Sequence, residues 1–325
     1  MADELEIAVT ARWPGDALSR LGPRYRVRVR EGDEPLDEEG LARFLAGAHA
    51  ALTLLADPVT ARVMDACPEL RVVANVAAGH DNVDLEAAAA RGIWVTNTPD
   101  VLTEATADLA WALILAVTRR VVEGDRMVRE GRFHGWRPDL LLGRSLQGRT
   151  LGIVGFGRIG RAVGRRARAF GMRVAYWSRS EVRGEEAVRM ELEELLRSSF
   201  VLSLHCPLTP ETRGLLGRER LALLPRGAFV INTARGPVVD EGALVELLES
   251  GHLGGVGLDV YEREPEVHPG LLGRDDVVLL PHLGSATVET RATMVALAVE
   301  NAVAVLEGRE PPTPVVRPPR PRPPA

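Results

Sequence analysis

The stretch TLGIVGFGRIGRAVGRRARAFGMRVAYWSRS, residues 150–180, decides the fold. An apolar run from Leu151 to Val154 enters the glycine pattern Gly155, Gly157, Gly160; a helical pattern follows as far as Gly171, and a second apolar run covers Val174 to Trp177. This order predicts strand, turn, helix, strand. The turn has to bring backbone N–H groups against a pyrophosphate, which a Cβ at Gly155 or Gly157 would obstruct, while Gly160 lets the helix pack close to its strand. The helix N-terminus then faces the anion. A glycine turn kept only for packing explains the bend, but not three glycines at this spacing between two strands.

Outward from this unit, strands and helices continue to alternate. Before it, the pattern predicts strands at 7–10, 25–29, 51–55, 70–75 and 93–96, with helices at 14–21, 37–46, 60–66 and 85–91. The first hundred residues thus read as a small α/β domain of their own, built on a parallel sheet. N-T-P-D at 97–100 is the expected crossing between domains, and a long helix is expected over 103–119. Residues 131–148, with Trp136 and Pro138, read as an extended connection. After the glycine motif come strands at 200–205, 228–232, 254–259 and 277–280, helices at 191–197 and 244–250, and an uninterrupted helical pattern over 287–306. The Pro/Arg-rich tail that follows is expected to be extended or disordered, an untethered terminus.

Composition narrows the function. A chain of 325 residues with 46% hydrophobic content can bury two cores of ordinary size. No apolar run reaches the roughly 18 residues of a membrane span, and the start M-A-D-E-L-E-I lacks the basic and apolar regions of a secretory signal, so a cytoplasmic location is expected. A net charge of -5 gives no general attraction to nucleic acid or to an anionic membrane. Cys67 and Cys206 form no C-x-x-C pattern, so neither a disulfide framework nor a metal site is indicated. All 40 basic residues are arginine, which excludes a lysine Schiff base and a P-loop lysine.

Three residues stand just past predicted strand ends in the half that follows the glycines: Arg235, Glu264 and His282. Ligands of open α/β sheets lie at the carboxyl ends of the strands, so all three are candidates to face the nicotinamide end of a dinucleotide. Reducing a ketone puts negative charge on its oxygen, and an imidazole can deliver the proton near neutral pH. A carboxylate beside an imidazole fixes its tautomer and favours its protonated form, while a guanidinium grips an α-keto acid in planar, bidentate fashion. Spacing by itself leaves solvated loop residues as the alternative. In the first half, V-A-A-G-H-D-N-V-D at 76–84 follows a strand; a ligand there would meet the N–H groups of Ala78 and Gly79, or the stretch is simply a tight turn.

Several motifs in order carry a resemblance: GFGRIG at 155–160, CPLTPETR at 206–213, INTARGPVVDEGAL at 231–244, GLDVYEREP at 257–265 and LPHLGSAT at 280–287, with NVAAGHDNVD and TPDVLTEATADLA in the first half. Together they resemble the D-isomer-specific 2-hydroxyacid dehydrogenase family over nearly all the chain except the tail. Within it, LTEATADLAWAL and WRPDLLLG most resemble glyoxylate/hydroxypyruvate reductases. The resemblance implies two Rossmann-like, doubly wound parallel-sheet domains, with the dinucleotide domain (99–286) inserted into a discontinuous substrate domain (1–98 and 287–311), followed by the tail (312–325). It implies that Arg235 binds the substrate, that His282 is the proton donor supported by Glu264, and that Ala78 and Gly79 offer N–H groups to the substrate carboxylate. Around the cofactor it places Thr106, Gly155, Gly157, Arg158, Ile159, Gly160, Cys206, Pro207, Thr212, Thr233, Ala234, Asp259, His282 and Gly284, and no metal. It implies a homodimer through the dinucleotide domain, with Trp136 either near that interface or packed on its own chain.

NAD-preferring sites carry an acidic residue at the end of the second strand, about 20 residues past the glycines. Here Ser178, Arg179 and Ser180 stand instead. Arg179 can pair with a 2'-phosphate and the serines can donate to it, so NADP(H) is the expected cofactor, with NAD(H) possible and Glu181 as a weakening neighbour. The expected activity is reduction of glyoxylate or hydroxypyruvate to glycolate or D-glycerate. The alternatives are the same chemistry on 3-phosphoglycerate or D-lactate, and a nucleotide-sensing, co-repressor-like binding protein without turnover.

Overall fold

The computed structural model of the chain describes residues 4–32, 34–182 and 184–323. It divides into two compact units, Met1–Leu102 with Ser285–Ala325, and Thr103–Gly284.

The chain begins the first unit with β1 (Leu5–Val9), β2 (Tyr25–Val29), α1 (Glu38–Leu45), β3 (Ala50–Thr53), α2 (Ala61–Asp65), β4 (Val72–Asn75), α3 (Leu85–Ala90) and β5 (Trp94–Thr96). Every residue of β3 and β4 is buried, as befits largely apolar strands covered on both faces of a parallel sheet, and their polar ends pair, Thr53 Oγ1 donating to Asn75 Oδ1 at 2.9 Å. Each helix starts where a polar side chain caps it: Asp37, Thr60 and Asp84 accept from the N–H groups of Gly40, Val63 and Ala87.

The second unit follows without a break: α4 (Thr103–Thr118), α5 (Val121–Arg129), β6 (Thr150–Val154), α6 (Arg158–Ala169), β7 (Arg173–Trp177), β8 (Val188–Arg189), α7 (Leu192–Ser198), β9 (Val201–Leu204), α8 (Arg218–Leu221), β10 (Ala228–Asn232), α9 (Glu241–Glu249), β11 (Leu253–Leu258) and β12 (Val277–Leu279). Its sheet runs β12-β11-β10-β9-β6-β7-β8 with parallel pairing throughout. Strand order therefore reverses between β6 and β9, the place where a doubly wound sheet opens a crevice at its carboxyl edge. Core side chains lie on both faces, Leu195, Leu244 and Leu247 on one, Ile114, Val163 and Tyr176 on the other.

The chain then returns to the first unit through α10 (Val288–Leu306) and β13 (Pro314–Val316), completing the sheet β13-β5-β4-β3-β1-β2. Both units are thus α/β with parallel sheets, and among the described strands only β13 runs antiparallel.

Two local expectations give way, and one helix stands where none was expected. Residues 14–21 form turns rather than a helix: Gly15 has φ +93°, and single bonds such as Arg20 N–H to Asp16 O (3.1 Å) do not propagate. Helix α5 carries no inward apolar face in its own unit, with Val121, Val122 and Val128 turned to solvent, so its pattern is not legible as a core helix. The tail is not untethered; residues 324–325 lie outside the described residues, but those before them are seated on the first unit. Pro314 and Val316 pair with Thr96 and Val95 of β5. Arg322 donates to the carbonyls of Cys67, Pro68 and Leu70, which follow α2, and to that of Arg91, which caps α3. Helix C-termini expose carbonyls and carry partial negative charge, and a guanidinium with five donors satisfies several at once.

Candidate active site

The glycine turn sits at the strand-order switch of the second unit, and its glycines answer to different constraints. Gly155 has φ +91°, and a Cβ there would stand 2.5 Å from Cys206 N and 2.6 Å from His205 C, so the turn after β6 is pressed against the turn after β9. A Cβ on Gly160 would meet Gly155 O at 2.2 Å, which is the close approach of α6 to its own turn. Around Gly157 there is open space: φ is -77° and nothing lies within 4 Å of the position a Cβ would take. Obstruction at Gly155 therefore comes first from the chain itself, and only Gly157 is free of every internal reason to be glycine. No side chain caps α6, and Gly157 and Arg158 are exposed. An open, glycine-lined helix N-terminus fits the pyrophosphate of a dinucleotide.

At the end of β7, Arg179 and Ser180 are exposed. Ser178 turns its hydroxyl to Ser180 O, and Arg189 of β8 donates to Ser178 O at 3.2 Å, bringing a second guanidinium to this loop. Glu211 is near Arg179. A hydrogen bond from the Thr209 hydroxyl, its own N–H and the charge of Arg179 hold the Glu211 carboxyl below its ordinary range. Sequence reading weighed Glu181 as the competing acid and missed Glu211, which lies 32 positions beyond Arg179.

On the far side of the switch, three strand ends present the candidate triad. His282 Nδ1 is 2.9 Å from Glu264 Oε2, both side chains being about one-third exposed. Burial pushes the Glu264 carboxyl up, but the His282 hydrogen bond and charge, the Tyr261 N–H and the charge of Arg235 outweigh it, and the group titrates below its ordinary range. An ionised carboxylate only accepts, so Nδ1 carries the proton of this bond and Nε2 is the ring atom left for chemistry. Arg235 stands at the turn after β10, where Asn232 accepts from Ala234 N–H at 3.0 Å and donates to Arg235 O at 2.9 Å.

His282 itself has φ +54°, a left-handed conformation uncommon for a side chain of its size. Asp259 holds it there. Its carbonyl accepts from His282 N–H at 3.0 Å, and its two carboxylate oxygens accept from Leu283 N–H (2.6 Å) and Gly284 N–H (2.8 Å). Burial pushes the Asp259 carboxyl up, against the pull of those N–H groups and of His282. Thr106 donates to Gly284 O at 3.0 Å. Asp259 and Thr106 thus spend polar atoms on shaping the histidine turn, and Thr212 does the same for the turn after β9, donating to Pro207 O at 2.7 Å and accepting from Thr209 N–H at 2.8 Å. Cys206, Thr233 and Ala234 are buried, Pro207 exposed. Burial pushes the Cys206 thiol up to about 11, so it is inert.

Two residues that sequence reading passed over join these loops. Tyr261 donates its N–H to Glu264 Oε1 (3.1 Å) and its hydroxyl to Leu280 O (2.8 Å), two positions before His282. Its backbone also packs on Gly236, where a Cβ would be 1.8 Å from Tyr261 C, so the turns bearing Arg235, Glu264 and His282 meet at one residue. His205, after β9, has Ser203 Oγ at 2.8 Å from Nε2, and burial lowers its pKa to about 3, leaving it a neutral part of the floor beneath the glycine turn. A tyrosine among the charged residues of 259–264 and a histidine among seven gave no signal at their own positions. Among the described residues no group of three or more His, Cys, Asp or Glu side chains is placed to hold a metal ion.

In the first unit, Ala78 and Gly79 follow β4, half-exposed, with the Asn97 and Asn75 side chains donating to their carbonyls at 2.7 and 2.9 Å. Trp136, in the second unit, is 81% exposed and so is not packed on its own chain.

Comparison with known proteins agrees with this arrangement. The family model "D-isomer specific 2-hydroxyacid dehydrogenase, NAD binding domain" matches residues 111–284. A glyoxylate reductase of Thermococcus onnurineus is 44% identical over 320 residues, covering 96% of each chain. A crystal structure of a Thermus thermophilus protein, 52% identical, superposes with a TM-score of 0.92 over 96% of this chain and 100% of its own. The NADPH-dependent glyoxylate/hydroxypyruvate reductase of Sinorhizobium meliloti, solved with NADP and malonate, is 36% identical with a TM-score of 0.86 over 99% of both chains. With glycine turn, histidine–glutamate pair and arginine turn in place, and relatives matched over nearly its whole length, the chain belongs to the D-isomer-specific 2-hydroxyacid dehydrogenases, a family of oxidoreductases.

Proposed function

We propose that the protein reduces small 2-oxo acids, glyoxylate or hydroxypyruvate, to the 2-hydroxy acids, using NADP(H) in preference to NAD(H). The observation that carries this reading is the 2.9 Å bond between His282 Nδ1 and the ionised Glu264. Bound cofactor supplies the hydride. His282 gives its Nε2 proton to the carbonyl oxygen, while Glu264 keeps the ring in one tautomer and balances the imidazolium. Arg235 binds the carboxylate and carbonyl through its fork of donors, and Ala78 and Gly79 offer N–H groups to the carboxylate. The exposed helix N-terminus at Gly157, Arg158 and Ile159 takes the pyrophosphate, and Arg179 with Ser180 takes the 2'-phosphate; Glu211 is the neighbour that moderates this preference.

The relatives' names support this substrate class over phosphoglycerate, lactate or a sensor without turnover. We further assign a cytoplasmic homodimer formed through the second unit. Six of the ten large exposed apolar side chains among the described residues, Val121, Val122, Val128, Phe133, Trp136 and Leu142, crowd one stretch of it. No helix among the described residues is long and apolar enough to cross a membrane.

The test is NADPH and NADH oxidation against glyoxylate, hydroxypyruvate, pyruvate and phosphohydroxypyruvate, with His282→Ala beside the wild type. Turnover should be best with NADPH and one of the first two acids, and His282→Ala should lower kcat by about 10²- to 10⁴-fold with NADPH affinity kept. Tight NADPH binding without turnover on any acid would favour the sensor, and a clear NADH preference would defeat the cofactor assignment.

A further inference from the structure

Three consecutive peptide groups after β4 have their carbonyl oxygens held from within the first unit. Thr98 N–H donates to Ala77 O at 2.8 Å, Asn97 Nδ2 to Ala78 O at 2.7 Å and Asn75 Nδ2 to Gly79 O at 2.9 Å. A carbonyl oxygen only accepts, so each asparagine must present its amide nitrogen there. In a planar trans peptide the N–H points opposite to the C=O. Holding the carbonyls of 77, 78 and 79 therefore aims the N–H groups of Ala78, Gly79 and His80 away from the donors. Among the described residues these three N–H groups have no acceptor. The burial follows the same division: Asn75 is fully buried, whereas Ala78, Gly79 and His80 are half-exposed.

Asn75 is itself locked. Its Oδ1 accepts from Thr53 Oγ1 at 2.9 Å and from Asn82 Nδ2 at 3.3 Å, and Asn82 Nδ2 also donates to Leu54 O and Asp57 O at 3.0 Å. Without the two amides the peptides at 78–79 and 79–80 could turn over, and they would then present carbonyl lone pairs to an anion in place of donors. Successive N–H groups on one side of a loop are a known device for holding an anion.

We propose that Asn75 and Asn97 are positioning residues for substrate binding: by holding the Ala78 and Gly79 carbonyls they set the N–H groups of Ala78, Gly79 and His80 toward the substrate carboxylate, with His80 N–H as a third donor. This rests on the reading of the chain as a 2-oxo acid reductase. It makes the loop's contribution one of substrate affinity, separate from the proton transfer and from the cofactor.

The test uses the full chain with Asn97→Ala and Asn97→Asp. The second keeps the size of asparagine but sets a carboxylate oxygen against the Ala78 carbonyl. KM for glyoxylate and Ki for oxalate should rise about tenfold to a hundredfold, the range for hydrogen bonds to a charged group. KM for NADPH and kcat should stay within about twofold, and Asn97→Asp should be at least as impaired as Asn97→Ala. Asn97→Ser stands in should Asn97→Ala fail to fold. A glyoxylate KM within twofold of wild type in these variants overturns the proposal, as does an equal loss in kcat and NADPH KM, which would mark a general structural defect. A wild-type chain that reduces no 2-oxo acid would sink the functional reading instead. The loop is then judged by calorimetry with oxalate alone, where the same variants must weaken binding at least tenfold.

Discussion

Two alanines, two positions apart in the glycine turn, should fail in opposite ways. At Gly155 the residue has φ +91° and its new Cβ would press on Cys206 N, His205 C and Cys206 Cα at 2.5, 2.6 and 2.7 Å, all backbone that no rotamer change can move. The left-handed conformation costs an L-residue about 1–2 kcal/mol, and overpacking against fixed atoms about 1–3 kcal/mol more. For a domain of this size that corresponds to a fall in Tm of about 5–15 °C. At Gly157 φ is -77° and nothing stands within 4 Å, so Gly157→Ala meets no atom of the described residues. The loss of glycine's freedom in the unfolded chain, about 0.4–1 kcal/mol, roughly offsets the poorer N-cap that alanine makes. Its methyl group instead fills the space a pyrophosphate needs, and NADPH should bind at least about tenfold more weakly, a loss of about 1.4 kcal/mol. Thermal unfolding of the ligand-free proteins and calorimetric NADPH titration read the two effects separately. A Gly157→Ala variant with wild-type NADPH affinity would refute the placement of the phosphates. A Gly155→Ala variant with wild-type Tm would refute the steric reasoning.

Further outcomes follow from the same structure. Arg322→Ala removes the guanidinium that gathers the Cys67, Pro68, Leu70 and Arg91 carbonyls, so amide exchange at Val316 and along β5 should quicken by about tenfold or more; unchanged protection there would show that the strand pairing alone seats the tail. Glu264 titrates below its ordinary value of 4.5 in the folded chain, so its stabilising contribution is fully present above that value and is lost as pH falls through the lowered one. The Tm gap between wild type and Glu264→Gln should therefore narrow as the medium is acidified below pH 4.5, and a gap that stays constant would count against the ion pair.

Much of the fold is legible in the chain because its causes are local. Burial on both faces makes β3, β4, β6 and β10 mostly apolar runs with a polar residue at one end, capping residues stand beside the helices they start, and the glycines of 155–160 announce their turn within six positions. The positions of Arg235, Glu264 and His282 were readable for the same reason, each standing just beyond a strand. The pairing of His282 with Glu264 was already implied by the resemblance, but the bonds that hold their turns in place were not readable, because they depend on pairs far apart in sequence. Tyr261 ties Glu264 to Leu280, and Asp259 bends the chain at His282 through N–H groups 24 and 25 positions away. Asn97 orients a peptide 19 positions earlier, and Arg322 finds carbonyls more than 250 positions before it. Periodicity reports which face of an element is wet or dry; it carries no information about which distant carbonyl a donor will meet. The sequence by itself determined two parallel-sheet domains and a nucleotide turn, while tertiary packing alone decided which glycine is empty space, which histidine nitrogen is free, and which N–H groups stand open to an anion.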